Sequence, residues 1–244
     1  MISSAIELEC PSCNSDDPGD FRDGCEDPWH VEAGDESTRD LADAVTDLGR
    51  LAMQFSLIDR TACYHPDQQT RESDSDHTVM LAWVAPALAH RLYPARLNPL
   101  LVAAFAVVHD APEVYAGDTP TLRIDAGGHR AKAAREAAAV CRLRGEFGPR
   151  LPWFTAVLGL YEEQELIEAR FVRAVDKILP KIVHQIDRCH GLIEEGITPP
   201  ELAAILAAQE ADMASYAGEF TALMDLYQEM GSRAVALLEE VTNG

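Results

Sequence analysis

Residues Pro99 to Val108, PLLVAAFAVV, run for ten residues without a polar side chain and end directly on His109 and Asp110, with Glu113 and Asp118 close behind. The run is too short to cross a membrane. Apolar on every side, it reads as a buried helix at the centre of a fold. Two explanations fit the ionisable residues at its end: the helix simply surfaces there, or it is a rigid post that presents ligands to a metal.

The rest of the chain is helical by pattern. Leu41, Ala44, Val45, Leu48, Leu51, Ala52 and Phe55 fall at helical spacing and predict a helix that starts at Glu36-Ser37-Thr38. Ser75 or Asp76 can cap a second helix through HTVMLAWVAPALAHRLY, with a kink expected at Pro86. After the apolar run and a Gly-Asp-Thr-Pro loop, HRAKAAREAAAVCRLRGEF is helical by propensity. A long helix is expected from about Tyr161 to Cys189, and another from Pro199-Pro200 nearly to the end. Leu202, Ile205, Leu206, Met213, Phe220, Leu223, Met224 and Leu226 give that last segment apolar stripes wide enough to suggest a homodimer or higher homo-oligomer. No alternation of period two and no internal repeat is visible. The expected fold class is all-α, a helical bundle: an irregular acidic segment over 1–35, the main domain over 36–195 and a C-terminal helical extension over 196–244.

Charge narrows the partners. With 41 acidic against 20 basic residues the net charge is −21, which argues against a nucleic-acid polymer or an anionic membrane surface as partner. An anionic small molecule would need a local positive field, from a cation or converging Lys and Arg. No apolar stretch reaches membrane-spanning length, and MISSAIELECPSC lacks the features of a secretion signal. Six scattered cysteines do not read as a disulfide framework in a chain of 244 residues. A cytoplasmic location is therefore expected. Cys10, Cys13, Cys25 and His30 make a C-x₂-C…C-x₄-H pattern that could hold a separate structural zinc, or belong to an unstructured acidic arm. Cys63, Cys141 and Cys189 read as buried or incidental.

Candidates to join His109 and Asp110 are His77, at the start of the preceding helix, and Asp176, set among Val172, Val175, Ile178 and Leu179. A carboxylate in an apolar helix face is costly unless something pairs with it. Two imidazoles and two carboxylates suit a divalent cation, Co, Mn, Mg, Fe or Zn, and leave positions open for water and a phosphate oxygen. Glu113, four residues after His109, falls on the same face one turn along, where a general acid or base would be useful. Each residue alone has a plain structural reading; their combination is what points to chemistry. Lys177 and Lys181, one turn apart beyond Asp176, either cover the helix surface or bind the β- and γ-phosphates of a triphosphate.

The motifs also carry a resemblance. His77, His109-Asp110 and Asp176 together resemble the H…HD…D set of the HD-domain metal-dependent phosphohydrolases. ESDSDH is similar to the E-S-V-x-[DE]-H motif of their 5′-deoxynucleotidase branch, HDAPEVYAGDTPT to its H-D-x-x-E-x-x-x-G-D-x-P, and YEEQELIEARFVRAVDKI to its Y-E segment followed by E-A-[KR]-F-V-[KR]-x-x-D. A phage dATP triphosphohydrolase belongs to the same wider group. The likeness covers roughly residues 40 to 190. It implies metal ligation by His77, His109, Asp110 and Asp176, an acid or base role for Glu113, and orientation of water or substrate by Asp118. It places Arg60 against the substrate phosphate and Glu162 near the sugar. The bacterial branch has tryptophan after that arginine; this chain has Thr61, as in a eukaryotic branch that begins Arg-Thr. Tyr64, His65 and Arg71, in the following loop, are further pocket candidates. The function implied is hydrolysis of a (deoxy)nucleotide phosphate ester by metal-activated water, on a monophosphate or a triphosphate. Other HD phosphodiesterase or (p)ppGpp-type hydrolysis, and an inactive HD-fold binding protein, are the alternatives.

Overall fold

The computed structural model describes residues 37–119 and 122–243. Cys10, Cys13, Cys25 and His30 lie outside them. Helix α1 (Thr38–Phe55) opens where its polar start predicts, with the Ser37 hydroxyl accepting from the Asp40 N–H. An antiparallel hairpin follows, β1 (Asp59–Tyr64) and β2 (Arg71–Ser73), which the sequence pattern did not predict. Its strands are short, their register slips between Asp59 and Tyr64, and Ala62 sits at φ 60. No regular alternation survives such irregularities.

Helix α2 (Asp74–Leu92) begins earlier than expected. Ser73, not Ser75 or Asp76, is the cap, in a reciprocal box with Asp76, and the helix continues through Pro86. The apolar run is α3 (Pro99–Val108), capped by Asn98 at its start and by His109 at its end. It buries Val102, Phe105, Ala106 and Val108 against α2 and two later helices, while Leu100 and Val107 stay about half exposed. The remaining helices are α4 (Glu113–Ala116), α5 (Ala126–Phe147), α6 (Pro152–Glu163), α7 (Ile167–Asp176), α8 (Leu179–Ile186), α9 (His190–Glu194), α10 (Pro199–Ala217) and α11 (Thr221–Asn243).

The single helix expected from Tyr161 to Cys189 is thus cut into pieces. Gln164 closes α6 in the left-handed region at φ 55, Pro180 sits in the first turn of α8, and Arg188 and Cys189 both have positive φ. Proline has no N–H to continue a preceding helix, so the break after Asp176 has a local cause. The C-terminal segment likewise divides, into α10 and α11. Met213, Ala217, Phe220, Leu223 and Tyr227 join the main core, while Leu202, Ala234 and Leu238 pack with Ala62, Cys189 and Leu192. Of the apolar stripes, Leu202, Met213, Phe220 and Leu223 are buried within the chain, while Ile205, Leu206, Met224 and Leu226 are half-buried. Among the described residues no helix is long and apolar enough to cross a membrane.

Candidate metal centre

Three helices end or begin around one point. α2 brings His77 in its first turn, His109 caps the end of α3, the turn after it carries Asp110, and α7 ends on Asp176. One ligand atom from each of these four residues lies within 4.8 Å of the others. His77 Nε2 is 2.8 Å from Asp176 Oδ1 and 3.9 Å from Asp110 Oδ2. His109 Nε2 is 2.9 Å from Asp110 Oδ2 and 3.9 Å from Asp176 Oδ1. The four residues expected from the sequence are brought together.

The donor set fits a divalent cation. His109 Nδ1 lies 2.9 Å from the Ala106 carbonyl, one of the unpaired carbonyls at the end of α3, and donates to it. That leaves Nε2 as a lone pair, buried and without a hydrogen-bond partner despite the nearby carboxylate oxygen. A buried lone pair facing two carboxylates is repulsive unless positive charge stands between them. The other ring makes the same demand: burial disfavours a charged His77, yet Asp176 and Glu72 outweigh it and raise the imidazole to about 9. Burial would also raise Asp176, but Lys177 and His77 hold it well below the usual carboxylate range.

Around the cluster stand both expected and unexpected residues. Arg60 Nη1 is 3.2 Å from Asp110 Oδ2 and 3.3 Å from Asp74 Oδ1, so its charge reaches the cluster through Asp110. The Thr61 N–H donates to Asp118 at 3.4 Å, which ties β1 to the loop after α4. Glu113 is buried at the head of α4, with Lys132 Nζ 3.1 Å from it. Burial, then the Asp110 charge, push its carboxyl up to about 10 against the pull of Lys132. A cleft of about 350 Å³ opens on the cluster, lined by Asp110, Glu113, Lys132, Glu162, Arg173 and Lys177 among others. Glu162 is raised, mainly by burial. Arg60, Thr61 and Asp118 do not line this cleft. A larger groove, about 570 Å³ between α10 and α11, contains none of the cluster residues.

Several expected pocket residues turn elsewhere. Lys181 does not join Lys177 at the cleft: it is 2% exposed, its Nζ donates to the Lys177 carbonyl and Gln209, and it lies 4.1 Å from the Tyr227 ring centre. The break between α7 and α8 rotates it into the core. Lys177 stays in the cleft and donates to Asp176 at 2.8 Å. Tyr64 and Arg71 both bond Glu194 of α9, and His65 faces Asp76, because the hairpin folds back on those elements.

Two residues went unassigned in the sequence. Glu72 is buried, with Oε1 3.7 Å from His77 Nδ1 and Oε2 3.8 Å from Arg60 Nε. Asp74 is fully buried and raised to about 6 by burial and by Asp110. Both belong to the ESDSDH motif, and Asp74 occupies its valine position, the signal that could have found it.

Comparisons with known proteins bear on the family and the fold. A family model described as HD domain matches residues 55–217. The 5′-deoxynucleotidase PM0747 of Pasteurella multocida is 39% identical over 54 residues, 21% of this chain and 28% of that protein. A 5′-deoxynucleotidase of Erwinia tasmaniensis is 45% identical over 53 residues, 20% of this chain and 27% of that protein. The chain therefore spans little more than a quarter of the length of these curated relatives. A solved structure from Magnetospirillum magnetotacticum MS-1, described as a predicted metal-dependent phosphohydrolase, matches with a TM-score of 0.62 over 81% of this chain and 97% of that one. At 23% identity this is a likeness of fold.

Proposed function

The chain belongs to the HD-domain family, and from that premise we propose that it hydrolyses a phosphate ester of a (deoxy)nucleotide, using a divalent cation held by His77, His109, Asp110 and Asp176. The observation that carries this reading is the four-donor cluster, with the unpartnered lone pair of His109 aimed into it. A cation bound there supplies activated water and neutralises charge on the phosphoryl group. The chain's own residues do the rest. Arg60 lends positive charge beside Asp110, where negative charge grows in phosphoryl transfer. Glu113, buried at the head of α4 and steadied by Lys132 3.1 Å away, is placed to exchange a proton with the departing oxygen or the water. Asp118, fastened to β1, orients the water or the substrate. Tyr161 and Glu162 form the wall on which the nucleoside rests.

The test is incubation of the purified protein with ribo- and deoxynucleoside mono- and triphosphates and Mn²⁺, Co²⁺ or Mg²⁺, with product chromatography and Asp110→Ala as control. Metal-dependent product formation that Asp110→Ala abolishes is the expected result. Absence of turnover on every nucleotide would end this reading while leaving the family assignment in place.

A further inference from the structure

Three carboxylates surround Arg60, and two of them hold it. Its Nη1 donates to Asp74 Oδ1 at 3.3 Å and to Asp110 Oδ2 at 3.2 Å. Glu72 stands farther off, 3.8 Å from Nε, and that Nε makes no hydrogen bond among the described residues. The arginine side chain is 15% exposed, so water offers it little compensation for a lost partner. Its pull is divided between two acceptors.

Those acceptors are not equivalent. Asp110 Oδ2 is also the oxygen that faces both imidazoles, 2.9 Å from His109 Nε2 and 3.9 Å from His77 Nε2. An arginine bonded to that oxygen and a cation bound to it are rivals, since both draw on its lone pairs and their charges repel across it. Asp74 lies outside the four-donor cluster. It is fully buried at the first position of α2, and its N–H donates to the carbonyl of Ile58, two residues before Arg60. A helix start favours a carboxylate, but an exposed one would serve; a fully buried one needs a partner, and Arg60 is that partner. Valine holds this position in the motif that ESDSDH resembles, so the buried acid is a departure that the resemblance does not imply.

Resting on the cation proposed above for the His–Asp cluster, we infer that Asp74 is a positioning residue: it draws Arg60 partly off Asp110 and so keeps Asp110 Oδ2 open to that cation. Without Asp74, Asp110 is the one hydrogen-bond acceptor left to Arg60, and the guanidinium closes on it. The first turn of α2 then does two things. It supplies the ligand His77, and three residues earlier it supplies the side chain that keeps another ligand available.

The test is a double-substitution cycle on the full chain, read by calorimetric titration with Mn²⁺. The proteins are the wild type, Asp74→Val, Arg60→Gln and the two changes together, each with its helical content checked by circular dichroism. Asp74→Val should weaken Mn²⁺ binding about 10- to 100-fold. In the Arg60→Gln background the same change should cost less than about threefold, because the rival for Asp110 is gone. Asp74→Asn keeps an acceptor without the charge and should fall between; it carries the same cycle if Asp74→Val does not fold. A loss of equal size in both backgrounds overturns the inference, because a structural role or a direct effect of the Asp74 charge would not depend on Arg60. Unchanged affinity in Asp74→Val overturns it as well. A wild type that binds no Mn²⁺ ends the cation reading and this inference together, whereas an additive cycle on a wild type that binds Mn²⁺ ends this inference alone.

Discussion

Replacing Gly191 by alanine perturbs the site without touching any candidate ligand. A Cβ on Gly191, in the first turn of α9, would stand 2.3 Å from the Ala62 carbonyl oxygen, 2.4 Å from its carbon and 2.8 Å from its Cα. Ordinary contact begins at 3.4 Å, and all three atoms are backbone, so no side-chain rotation relieves the clash. β1 and α9 must separate by about 1 Å in a packed region, an overpacking that costs about 1–3 kcal/mol. Arg60 lies two residues before Ala62 on the same strand. A shift of that size carries its guanidinium from 3.2 and 3.3 Å out of hydrogen-bond reach of Asp110 and Asp74. A misplacement of about 1 Å at a reacting centre can cost about 100-fold in rate. Gly191→Ala should therefore unfold about 2–12 °C below the wild type by calorimetry, at about 2–4 °C per kcal/mol for a chain of this size. Its turnover of whichever nucleotide the wild type cleaves should fall by one to two orders of magnitude. Gly145→Ala is the matched control: it lies inside α5 with nothing within 4 Å of the new Cβ, and should gain about 0.5–1 kcal/mol. A Gly191→Ala protein with wild-type melting and wild-type turnover would refute the claim that this contact sets the position of Arg60.

Further outcomes follow from other contacts. Glu72→Gln removes the carboxylate facing His77 Nδ1 and should weaken Mn²⁺ binding about 10- to 100-fold by calorimetric titration; unchanged affinity would show that Glu72 does not orient the ring. Mn²⁺ at about 100 times its Kd should raise the unfolding free energy of the wild type by about 2.7 kcal/mol, and that of Asp110→Ala far less; equal stabilisation of both would place the cation elsewhere. Burial pushes the Lys181 amine down to about 7 from 10.5, so between those values the unfolded chain binds the extra proton and the Lys181 contribution to stability rises with pH. In urea titrations the difference between wild type and Lys181→Met should move in favour of the wild type from pH 7 to pH 10, by about 1 kcal/mol per pH unit at most. Parallel pH profiles for the two proteins would contradict a neutral buried amine.

The grouping of His77, His109, Asp110 and Asp176 was legible in the sequence because its chemistry conflicts with its surroundings: Asp176 in an apolar helix face and His-Asp at the end of an apolar run have few structural uses. The helical fold class was legible from spacing. Finer points were not. The hairpin of β1 and β2 is too short and too irregular to leave a period, and the breaks at Gln164 and after Asp176 leave the apolar spacing on either side intact. That second break misled the reading of Lys181, since a side chain one turn past Lys177 on a continuous helix would share its face. Glu72 and Asp74 escaped for another reason. Both stand inside the ESDSDH motif, but their roles depend on what lies across a tertiary contact, His77 or Arg60, which the motif alone does not tell.

His77 and Asp176 meet across 99 positions of the chain, with His109 and Asp110 in between. A polypeptide made from its N-terminus displays two imidazoles and one carboxylate long before the fourth donor exists. The cluster closes only when α7 docks on α2 and α3, and every chain that stops short of Asp176 lacks one of the four donors. With a cation held as proposed, its loading is tied to the docking of α7, and a chain truncated before Asp176 should neither retain the ion nor gain its protection against proteolysis.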